Sequence, residues 1–138
     1  MRLLIRIEGR EILSCVEEAL SEVELDLHFV GDNDRMLTLL QHGCIDMIIV
    51  DLRDQCLAGL NRLRVLQNEP MSAKLPTICL INEEQPAAIK IKLNSVGVDC
   101  RAIKFFSTSN YGYSQEIIDK AALLATIDSL AAANSTSQ

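Results

Sequence analysis

The stretch CIDMIIVDLRD, residues 44–54, decides how the chain is read. An apolar run delivers a carboxylate, Asp51, to its own end, with Arg53 and Asp54 just behind it. A strand in the middle of a parallel sheet has this pattern. Its interior is apolar on both faces, and its C-terminal end opens into the crevice where such sheets bind ligands. Asp51 is therefore either a working residue or the polar end of a strand.

On either side of this stretch, short apolar runs alternate with helical periodicity. RLLIRIEG reads as a first strand. REILSCVEEALSEV places Ile12, Cys15, Val16, Leu20 and Val23 on one helical face. ELDLHFVGD alternates and ends at Gly31, a second strand suited to an edge. Asp32 caps a short helix closed by Gly43. The helix LAGLNRLRVLQNE stops before Pro70, LPTICLINE and VDCRAIKFFS read as the fourth and fifth strands, and SQEIIDKAALLATIDSLAAAN as a last helix. Strands alternating with helices imply parallel βαβ units in a doubly wound α/β sheet with helices on both faces. The fourth helix is the element the pattern supports least. Ile89, Ile91 and Leu93 alternate with Lys90, Lys92 and Asn94, which is strand period. STSNYGYS is a longer connection than such units normally use.

The 138 residues suit one domain, and 49% apolar content is enough for a core. A net charge of −6 without clustered Lys and Arg argues against nucleic acid as a partner. No apolar run reaches the length of a membrane span, and the start is too short and charged for a signal peptide. The five cysteines show no C-x-x-C spacing, so reduced thiols in a cytoplasmic protein are expected. His28 and His42 stand without a base or nucleophile at useful spacing. No catalytic triad order, glycine-rich phosphate loop or pair of carboxylates points to an enzyme.

Five βα units with an aspartate ending the third strand resemble the receiver domain of bacterial response regulators. The resemblance covers residues 1 to about 130, with 131–138 expected as a disordered tail or linker, and four features carry it. Asp51 is followed eight residues on by Gly59 and Leu60, as the family's phosphoacceptor is by Gly-Leu. Leu75 and Pro76 match its Leu-Pro opening strand four. Gly97 and Asp99 match its Gly-Ala-Asp, and Lys104 and Phe106 its Lys-Pro-Phe. The resemblance implies a flavodoxin-like five-stranded sheet of order 2-1-3-4-5.

It also implies a chemistry. A working receiver binds Mg²⁺ through two acids ending strand one together with the phosphoacceptor. Metal and lysine neutralise the phosphoryl group in flight. A hydroxyl ending strand four and an aromatic on strand five then respond. Asp51 and Lys104 meet these requirements, and Glu8 is a remnant. The acidic pair falls on Ile7 and Glu8, or on Arg6 and Ile7 if the first loop is one residue shorter. The hydroxyl position holds Ile81, the aromatic position Arg101 and the proline position Phe105. The expectation is thus a pseudo-receiver working by protein–protein contact, without metal or other cofactor. Asp51 would be paired with Lys104 as a structural ion pair, and Arg6 would either reach the Asp51 pocket or carry its head to water. The alternative is a weakly active phosphoacceptor that takes phosphate on Asp51 from a histidine kinase and uses Mg²⁺.

The contact surface is expected where the departures concentrate: Arg101, Tyr111, Tyr113 and an exposed side of the last helix bearing Leu123 and Ile127. The partner is a signalling protein, or a second copy meeting strand five and helix five.

Overall fold

The run ending in Asp51 forms the central strand of the sheet, with all five of its residues buried. The computed structural model describes residues 1–7, 10–53, 57–82, 86–100, 103–111 and 115–136. The elements are β1 (Arg2–Arg6), α1 (Arg10–Leu20), β2 (Asp26–Phe29), α2 (Asn33–His42), β3 (Met47–Asp51), α3 (Leu57–Asn68), β4 (Thr77–Ile81), α4 (Pro86–Ser95), β5 (Ile103–Ser107), β6 (Ser109–Tyr111), β7 (Gln115–Ile117) and α5 (Lys120–Thr136). Five strands run parallel in the order β2-β1-β3-β4-β5. This is the doubly wound order that the resemblance implies.

Side-chain alternation along the strands builds two cores. Leu3, Ile5, Met47, Ile49, Ile78 and Leu80 pack on one face with α1 and α5. Leu4, Ile48, Val50, Leu52, Cys79 and Ile81 pack on the other with α2, α3 and α4. A strand buried on both faces needs apolar residues at every position, which is why β3 reads as a continuous run.

Local signals hold at α2. Asp32 accepts from Arg35 N–H at 2.7 Å, and Gly43 N–H donates to Leu39 O. Position 43 also admits no larger residue cheaply, because a Cβ there would meet Leu39 O at 2.6 Å. Cys44 then takes φ 53°, in the left-handed region.

The fourth helix, the element the pattern supported least, forms: Ile89 and Leu93, four apart, are buried on one face, while Ile91 between them is 71% exposed. The alternation ran through a residue that faces solvent. Within STSNYGYS, Ser109–Tyr111 form β6, which pairs antiparallel with β7, Gln115–Ile117, so the stretch read as the start of the last helix is a strand and α5 begins only at Lys120. And α5 continues to Thr136, so residues 131–136 are helical rather than tail. Among the described residues no helix is long and apolar enough to cross a membrane.

The left-handed conformation at Cys44 costs a side-chain-bearing residue about 1–2 kcal/mol, partly offset by its lower unfolded-state entropy relative to glycine. Cys44→Gly should therefore raise unfolding free energy by about 0.5–1 kcal/mol in urea denaturation.

Candidate functional site

β3 ends at the carboxyl edge of the sheet, and there Asp51 is 9% exposed. By strand alternation it falls on the α1/α5 side with Ile49. A buried carboxylate requires a counter-charge and hydrogen bonds. Arg53 supplies both: its backbone N–H donates to Asp51 Oδ1 at 3.0 Å, and its Nε–H donates to the same oxygen at 3.1 Å. On α3, Arg62, itself buried, donates from Nη1 to the Asp51 carbonyl at 3.0 Å and so ties the strand end to the helix.

From Arg53 the contacts run sideways across the crest. Asn82, just past β4, donates from Nδ2 to Arg53 O at 3.2 Å. Thr108, just past β5 and buried, has Oγ1 at 3.2 Å from both Ile81 O and Asn82 Oδ1, and its N–H donates to Ile81 O at 2.8 Å. Three segments following three adjacent strands are thereby linked through polar groups.

Lys104 is elsewhere. It is exposed and pairs in register with Ile78, whereas Asp51 aligns with Leu80, which in turn pairs with Phe106. At standard strand rise and spacing, the Cα atoms of Lys104 and Asp51 lie about 12 Å apart. The predicted Asp51–Lys104 ion pair is not formed. The ladder register sets this: Lys104 lies beside Ile78, two residues before Leu80, and β5 runs on to Ser107, which pairs with Ile81. Phe105 itself is half-buried against the α4 side, with Lys90 Nζ 5.8 Å from its ring centroid.

The remaining predicted positions separate clearly. Ile7 and Ile81 are core residues, one in each core. Arg6 is 4% exposed, so its head is not at water. Glu8, Arg101 and Tyr113 lie outside the described residues, and Tyr111 falls in β6. Leu123 and Ile127 correct the expected contact surface: they are 0% and 1% exposed, packed in the α1/α5 core. Four apart on α5, they form its inward stripe. The exposed side carries Ala121, Ala122, Ala125, Asp128 and Ser129, none of them large and apolar.

Sequence reading missed Arg62, Asn82 and Thr108, and noted Arg53 behind Asp51 without pairing the two. Its position two residues after a buried strand-end carboxylate was the available signal for the ion pair. Cys79 lies in the α2–α4 core with Cys100 packed against it, and Cys15 packs against the α1/α5 core, while Cys44 is exposed and Cys56 lies outside the described residues. Burial, then the Asp51 charge, pushes the Cys79 thiol well above its usual range, and burial raises Cys100 too. Among the described residues no three His, Cys, Asp or Glu side chains converge on one point.

No protein-family model matches the sequence, and no curated protein matches it. Among solved structures the chain is similar to chemotaxis protein CheY4 of Vibrio cholerae, with 17% identity, 94% of this chain and 97% of that one covered, and a TM-score of 0.70. It is also similar to the signal receiver domain of an HD domain-containing protein from Pseudomonas fluorescens, with 18% identity, 98% and 97% covered, and a TM-score of 0.68. A response regulator from Desulfuromonas acetoxidans gives 18% identity, 92% and 93% covered, and a TM-score of 0.64. The fold is that of a receiver. Identities this low speak to fold alone.

Within this receiver fold, the charge partner of Asp51 can be tested by stability. Arg53→Met, which leaves a buried carboxylate with one backbone donor, should cost about 1–3 kcal/mol. Lys104→Met, at an exposed position, should stay within about 0.5 kcal/mol. Urea denaturation of the two variants and wild type measures the contrast.

Proposed function

We propose that this chain is a pseudo-receiver: a signalling module with the receiver fold that acts through protein–protein contact and does not switch through aspartyl phosphate. The observation that carries this reading is the double engagement of one Asp51 oxygen by Arg53, through N–H and Nε–H. A phosphoacceptor carboxylate must attack phosphorus while cations neutralise the oxygens in motion. Here a tethered guanidinium already occupies the carboxylate.

The described residues do not fit Mg²⁺. The ion asks for several hard oxygen donors in octahedral array. One acid of the expected pair is replaced by the core residue Ile7, and Asp51 is ion-paired. Ile81 leaves the hydroxyl position apolar, and Lys104 stands away from the crest. The tied crest suits a constant surface rather than a two-state one, since a switch needs an element with two arrangements to bias. The module would serve as a regulatory part of a cytoplasmic signalling protein or as a partner to one.

One observation favours the weak phosphoacceptor. Thr108 returns a buried hydroxyl to the end of β4, beside Ile81, where the family's own hydroxyl is missing. Amide NMR with Mg²⁺ and beryllofluoride separates the two readings. The pseudo-receiver shows no saturable shift at Asp51, Arg53 or Thr108, and acetyl phosphate leaves its mass unchanged. A saturable site at these amides, or a gain of one phosphoryl group lost in Asp51→Asn, overturns it.

A further inference from the structure

We draw no further inference here: the strongest candidate, the exposed patch of Lys90, Ile91 and Lys92 on α4 beside half-buried Phe105 of β5, is one for which nothing in the structure shows what covers it.

Discussion

β3 is covered on both faces, and a strand in that position must bring its first charge to bear only where the sheet ends. Asp51 is that charge, still mostly buried, and desolvation would expel it unless something stabilised it there. The nearest solution in sequence is the one used. The chain turns after Leu52 so that Arg53 N–H reaches back to Asp51 Oδ1, an Asx-type turn, and the same residue adds its guanidinium. A turn residue and a counter-ion are thus one residue. The rest of the crest is built on this pair: the Arg53 carbonyl takes Asn82, and Asn82 meets Thr108.

That arrangement bears on the proposed function because it fixes the carboxyl edge of the sheet, where Asp51 sits, in one geometry. Polar groups that satisfy one another across three adjacent strand ends stabilise a single geometry, since moving one leaves a buried neighbour unpaired. Thr108 is the clearest instance. It is buried, its N–H is used by Ile81 O, and its hydroxyl lies between two acceptors. The β6–β7 hairpin begins at the next residue, so its root is fixed by the same contacts.

The layers and strand order were legible because they rest on periodicity and burial, which single residues seldom overturn. Residues such as Ile48, Val50, Ile78 and Leu80 are apolar at every step and admit no other strand. The fourth helix was obscured by Ile91, an exposed apolar residue that counterfeits alternation when counted with Ile89 and Leu93. Residue classes carry no mark of exposure, so pattern alone could not remove it. The candidate site failed differently. Spacing placed Lys104 in the family's register, but spacing counts residues along the chain, while contact depends on how the strands align. The ladder sets Lys104 beside Ile78, two levels short of the point where Leu80 meets Asp51. The helical stripe of Leu123 and Ile127 was visible as well. Which of two apolar-looking sides faced the sheet was not, because α5 is rich in alanine all round.

The other end of the sheet has its own clamp, and it lies by the β2 edge. Arg2 donates through its backbone N–H to Asp46 at 2.8 Å and through Nη1 to Gly43 O at 2.7 Å, while its Nε meets Asp26 at 3.0 Å. One residue at the start of β1 therefore joins the start of β2 to the turn before β3. These exposed contacts are individually weak, yet together they set the end of β2 against β1. This clamp is two strands away from Asp51 and shares none of the crest contacts described above, so the two ends of the sheet are held by separate sets of polar groups.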